Sequence, residues 1–122
     1  MDNLFRALGD QTRLRIINLL QDRELCVCEL EVILVMTQSN VSRHLSRLRS
    51  ENIVAFEKKA QWIYYYIDPV FKKNHMLLLQ YMREKMKDDE LFVRDSGRLK
   101  CYQKSGESCE TLKDIRDTIF AG

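Results

Sequence analysis

Three observations predict a mostly α-helical fold with one small β-hairpin. Apolar residues recur at helical spacing from Leu4 to Leu48. Between Ile53 and Ile67 the period switches to two, in residues rich in β-branched and aromatic side chains. One Pro and four Gly in 122 residues exclude a many-stranded, turn-rich sandwich.

Leu4, Phe5 and Leu8 form a short apolar stripe, with Gly9 placed as its C-terminal cap. Asp10 is an N-cap residue for a helix carrying Leu14, Ile16, Ile17, Leu19 and Leu20. A further helix is predicted from Cys26 to Leu34, with Leu30, Ile33 and Leu34 apolar. Val35 and Met36 break it, and Thr37 caps a helix from Gln38 to Glu51, whose Val41, Leu45 and Leu48 face the core.

Ile53–Phe56 and Trp62–Ile67 form the hairpin. Its tip, Lys59-Ala60-Gln61, lacks the glycine that a two-residue primed turn favours, so a longer loop is expected. Asp68-Pro69 opens a long helix from Val70 to Lys87. That helix is apolar around more of its girth than one small domain covers, which calls for a partner surface. From Asp88 to Gly106 the chain is polar and loop-like, and Ser108–Phe120 is a last short helix with Leu112, Ile115 and Ile119 in line. The expected division is a domain over residues 1–88 and a C-terminal extension over 89–122.

Hydrophobic residues make up 45% of the chain, enough for one modest core. Twenty Lys and Arg against eighteen Asp and Glu give a net charge of +2, so affinity for nucleic acid must come from local charge placement. No apolar run spans a bilayer and the N-terminus has no secretory pattern, so no membrane partner and a cytoplasmic location are expected. Thiols stay reduced there, and Cys26, Cys28, Cys101 and Cys109 are read as ligating or redox-active before structural disulfides. No Ser/His/Asp arrangement, Cys-x-x-Cys in a βαβ frame or glycine-rich phosphate loop points to an enzyme or an organic cofactor.

Helix, short turn, helix and strand pair is the order of a winged helix-turn-helix. A helix in the major groove needs short polar and basic side chains near its start. Gln38, Ser39, Asn40, Ser42 and Arg43 are of that kind, and Arg47 on the helix with Lys58 and Lys59 at the hairpin tip suit phosphate contacts.

The stretch Ala7-Leu8-Gly9-Asp10-Gln11-Thr12-Arg13-Leu14-Arg15-Ile16 resembles the opening of the ArsR/SmtB family of metal-responsive repressors. Glu24-Leu25-Cys26-Val27-Cys28-Glu29-Leu30 resembles the metalloid box of its arsenic-responsive branch. Gln38 through Leu45 and Leu48-Arg49 are similar to its recognition helix, and Trp62–Tyr66 to its second wing strand. The resemblance implies a homodimer that represses from a palindromic operator and is released when As(III) or Sb(III) binds cysteine thiolates. It also implies dimerisation through the terminal helices, with Leu4, Phe5 and Leu8 against Phe71, Leu78, Tyr81 and Met82.

Soft thiolates select soft ions. Some relatives carry a third Cys where this chain has Glu31, so a third sulfur must come from Cys101 or Cys109, in the same or the other subunit. On an intact helix Cys26 and Cys28 would sit about 200° apart, so the first turn is expected to unwind around a bound ion. The alternatives are a thiol-redox-responsive or a Cd/Pb-responsive repressor of the same fold.

Overall fold

The computed structural model describes residues 2–109, 111 and 112. In order, the elements are α1 (Asp2–Leu8), α2 (Gln11–Leu20), β1 (Leu25–Cys26), α3 (Val27–Leu34) and α4 (Gln38–Ser50). There follow β2 (Val54–Lys59), β3 (Trp62–Ile67), α5 (Pro69–Asn74), α6 (Met76–Met86) and α7 (Glu90–Ser105). The wing is a three-stranded antiparallel sheet of order β1-β3-β2. The architecture is the expected winged helix-turn-helix.

The caps lie where the polar punctuation put them. Asp10 accepts the Arg13 N–H at 3.1 Å and Thr37 the Asn40 N–H at 3.3 Å. Asp68 accepts the Val70 N–H at 2.8 Å, with Pro69 opening α5. Gly9 differs, because its backbone is not left-handed. A Cβ there would lie 3.2 Å from the Phe5 carbonyl oxygen, and that close approach is what glycine permits. The core is built from Ile16, Ile17, Leu19 and Leu20 of α2, Leu30 and Ile33 of α3, Val41, Leu45 and Leu48 of α4, and Ile53 and Val54 leading into β2.

Four expectations are corrected. Lys59 pairs with Trp62, so the hairpin closes in two residues, and Ala60 takes φ 57° without being glycine. The long helix is broken at His75 (φ −126°, ψ 33°) into α5 and α6, while the His75 carbonyl still accepts from Leu79 at 3.0 Å. Cys26 is not helical. Its extended backbone (φ −87°, ψ 168°) makes it the N-cap of α3 and a residue of β1, paired with Tyr64.

The largest correction concerns 88–106, expected as loop. Residues 90–105 form α7, capped by Asp89 at its start and by left-handed Gly106 (φ 74°) at its end. Phe92, Asp95, Leu99 and Tyr102 make its buried stripe, which packs on α2 and α3. The Asp95 carboxylate, fully buried, is gripped by Arg15 through two bonds of 2.7 and 3.0 Å. A charged residue in the buried stripe hides the apolar periodicity. The short helix expected over 108–120 lies mostly outside the described residues, with Leu112 buried where it is described. Among the described residues no helix is long and apolar enough to cross a membrane.

Candidate functional site

The extended backbone of Cys26 brings two sulfurs together without unwinding any helix. Cys26 Sγ and Cys28 Sγ are 2.9 Å apart. Cys109, beyond the end of α7, returns to the same point. The three ligand atoms lie within 4.8 Å of one another. Cys26 and Cys109 are buried and Cys28 is half-buried. The sulfurs of Cys26 and Cys109 are in disulfide contact, with the Cα atoms 7.2 Å apart. That span exceeds the ~4.4–6.8 Å usual for a disulfide. The three sulfurs together are close enough to hold one ion. Cys101, on the exposed side of α7, stands outside the cluster.

A carboxylate organises this cluster from behind. Glu29 Oε1 accepts the Cys26 backbone N–H at 2.9 Å, and Glu29 Oε2 accepts the Tyr102 hydroxyl. Burial, then the Glu29 charge, pushes the Cys28 thiol up to about 11. Burial and the hydrogen bond to Glu29 also hold the Tyr102 phenol protonated well above the ordinary tyrosine range. Neither Glu29 nor Tyr102 was singled out from the sequence. Glu29 had a signal, standing three residues after a helix cap as in a capping box. Tyr102 had none, because its partner is 73 residues away. The donor set is all sulfur, which fits a thiophilic ion and not Mg, Ca or Mn.

The predicted groove-facing residues share the outer side of α4. Gln38, Ser39, Asn40 and Arg43 are exposed, while Ser42 and Arg47 are partly covered. Arg43 donates to Asn40 Oδ1 at 3.4 Å. Lys58 is exposed on the wing, whereas Lys59 is ion-paired with Glu24. His44 is buried on the inner side. Its Nδ1 lies 3.2 Å from Arg13 Nη1 and 3.8 Å from Asp10 Oδ1. Arg13 can only donate, so Nδ1 is the acceptor. Burial lowers the His44 pKa, Arg43 and Arg13 lower it further, and Asp10 opposes them.

The predicted interface residues divide. Leu8, Phe71 and Met82 are buried in the protomer's own core, and Leu4 and Leu78 pack partly against it. Phe5 and Tyr81 remain exposed, and Val70, Met76 and Leu77 join them. His75 lies against Phe71, with ring centroids 4.5 Å apart.

Residues 10–55 match the model of the arsR family of bacterial regulatory proteins. The chain is 43% identical over 67 residues to the arsenic resistance transcriptional regulator ArsR1 of Pseudomonas putida, covering 54% of this chain and 52% of that one. It spans little more than half the length of the first curated relatives it matches. Reduced HlyU of Vibrio cholerae is similar in structure, with TM-score 0.56 and 35% identity over 65% of this chain and 84% of that one. The antimony-specific transcriptional repressor AntR is similar at TM-score 0.52 and 31% identity, over 70% and 78% of the two chains. With the winged helix-turn-helix described and relatives matched over most of their length, the chain belongs to the arsR family of bacterial regulatory proteins.

Proposed function

We propose that this protein is a homodimeric transcriptional repressor whose operator binding is relieved when As(III) or Sb(III) is held by Cys26, Cys28 and Cys109. The observation that carries this reading is the convergence of those three sulfurs within 4.8 Å. Three sulfurs match the pyramidal preference of As(III) and Sb(III), whereas a structural Zn site takes four ligands. The names of an arsenic resistance regulator and an antimony-specific repressor among its relatives agree with that chemistry.

DNA is read by the exposed start of α4, with Gln38, Ser39, Asn40, Ser42 and Arg43 toward the major groove, and with Arg47 in the last turn and Lys58 of the wing toward phosphates. Lys59 reaches phosphate only by leaving Glu24. Two protomers meet through the apolar residues left exposed on α1, α5 and α6, chief among them Phe5, Leu77 and Tyr81. Cys26 couples the two sites. It opens α3, which leads through three residues into α4, and it pairs with Tyr64 of the wing strand β3. An ion seated among Cys26, Cys28 and Cys109 displaces Cys26 and with it both DNA-reading elements, so ion and DNA favour different conformations.

The test is anisotropy of the reduced protein on labelled DNA from upstream of its own gene, titrated with arsenite and with antimonite. Release near stoichiometric arsenite, lost in Cys26→Ser, supports the reading; tight binding that neither ion disturbs rejects the inducer.

A second reading, release by oxidation, draws on the Cys26–Cys109 disulfide contact. The 7.2 Å Cα separation disfavours it, being wider than a disulfide usually spans. Release by peroxide but not by arsenite would restore it.

A further inference from the structure

We propose that α7 extends the DNA-binding surface, with Arg94 and Arg98 holding operator backbone phosphates beside the turn that precedes α4. This rests on the DNA-binding reading above and goes beyond its helix and wing.

Arg94 and Arg98 are four residues apart on α7 and so share one face. Both line a cleft of about 400 Å³ together with Arg15 and with Val35 and Met36. Val35 and Met36 are the two residues between α3 and Thr37, the cap of α4. The cleft carries the guanidinium groups of Arg94 and Arg98 beside that of Arg15, whose charge is already matched by Asp95. It adjoins the exposed start of α4, where Gln38, Ser39 and Asn40 stand.

The occupant that fits is the DNA backbone. A helix lowered by its start into the major groove has phosphates on either side of it. Guanidinium matches phosphate geometry through paired N–H donors. Arg94 is presented from a fixed support, because the next residue, Asp95, is held by Arg15 at 2.7 and 3.0 Å. Ser96 is also bonded to Asn18 at 3.4 Å. Arg94 itself is exposed. A phosphate contact carries no sequence information, so it should add equally to binding of any duplex.

The experiment is a salt series of anisotropy measurements with the reduced full-length protein. Two labelled duplexes are used, one from upstream of its own gene and one of random sequence. Arg94→Gln is compared with wild type, with Lys58→Gln on the wing, and with Lys104→Gln in the last turn of α7, about 15 Å further along the helix. In a dimer each lost contact counts twice. Arg94→Gln should therefore lower the slope of log K against log salt by about two. It should weaken both duplexes by the same factor, and Lys104→Gln should change neither slope nor affinity. Arg94 is exposed, so the variant should keep the wild-type thermal melt; Arg94→Glu, a charge reversal, must then weaken both duplexes further. A wild-type slope in both Arg94 variants, with a lowered slope in Lys58→Gln, overturns the proposal. Failure of wild type to bind either duplex overturns the DNA-binding reading itself.

Discussion

Tyr102 donates its phenolic hydrogen to one oxygen of Glu29, and the other oxygen of that carboxylate accepts the backbone N–H of Cys26 at 2.9 Å. The C-terminal helix is thereby tied to the first thiol of the cluster. The tie also fixes where α7 ends and so where Cys109 returns. Tyr102→Phe keeps the ring packing and removes only the donor. It should cost about 1–3 kcal/mol in urea unfolding, because a partly buried carboxylate oxygen loses its partner. The arsenite needed to release DNA should rise by about tenfold while DNA affinity without arsenite stays unchanged. Equal shifts of both quantities would make the tie structural and nothing more.

Cys109 and Cys101 stood as equal candidates for the third sulfur, and only Cys109 joins Cys26 and Cys28. Cys109→Ser should therefore weaken arsenite binding by at least the ~10–100-fold that loss of a supporting partner costs a metal site. Cys101→Ser should leave it unchanged. Near-UV absorbance from sulfur–arsenic bonds, titrated in each variant, reads this directly. The reverse pattern would move the site to the exposed side of α7.

Legibility followed the range of the interactions. α2 and α4 were readable because local signals coincide in them: a side-chain cap at Asp10 or Thr37 followed by apolar residues at helical spacing. α7 was not, although Asp89 and Gly106 cap it, because its buried stripe includes Asp95. That charge is tolerable only beside Arg15, 80 positions earlier. The sulfurs were legible as ligands but not as geometry. A helix through Cys26 and Cys28 sets them on opposite faces. The pairing of Cys26 with Tyr64, a contact across 38 residues, turns the first of them out of the helix. The tight wing turn was missed because the register Lys59 to Trp62 holds Ala60 in a conformation that its own preference disfavours.

Val35 sits in the left-handed region at φ 55°, ψ 57°, where it ends α3 and donates to the Glu31 carbonyl. For a β-branched residue that backbone is strained by roughly 1–2 kcal/mol. The side chain is 67% exposed, so little packing compensates. Val35→Gly should relieve the strain, less the extra freedom that glycine gives the unfolded chain. A net gain of about 0.5–1 kcal/mol in chemical denaturation is expected. A loss would mean that the freedom glycine gives the unfolded chain outweighs the strain relieved at this position.

The Arg15–Asp95 pair should behave as a buried ion pair does when one partner is removed. The Asp95 side chain is fully buried and that of Arg15 is 12% exposed. Asp95→Ala leaves the guanidinium without its carboxylate and should cost about 3–5 kcal/mol. The double variant Arg15→Met/Asp95→Leu should cost much less than the sum of the single changes, because no charge is left unpaired. Urea midpoints of the four proteins form the cycle, and additive costs would show that the two groups do not cooperate.

His44 makes the hold on the recognition helix sensitive to acid. Burial lowers its pKa below the unfolded value of 6.5, and the guanidinium groups of Arg43 and Arg13 lower it further, against the pull of Asp10. The folded protein therefore takes up this proton less readily than the unfolded chain. Between the folded pKa and 6.5 the unfolded state binds more protons, so stability rises with pH through that window. This share of stability is complete above 6.5 and is lost as pH falls below it toward the folded value. Protonation also removes the Nδ1 acceptor that Arg13 uses at 3.2 Å and places a third cation between two others. His44→Gln retains polarity without the charge. Between about pH 7.5 and about pH 5.5 its unfolding free energy should fall less than that of wild type. Its DNA affinity should fall less over the same range, since α4 is held against α2 through this ring. Parallel pH profiles for the two proteins would assign the acid sensitivity to other groups.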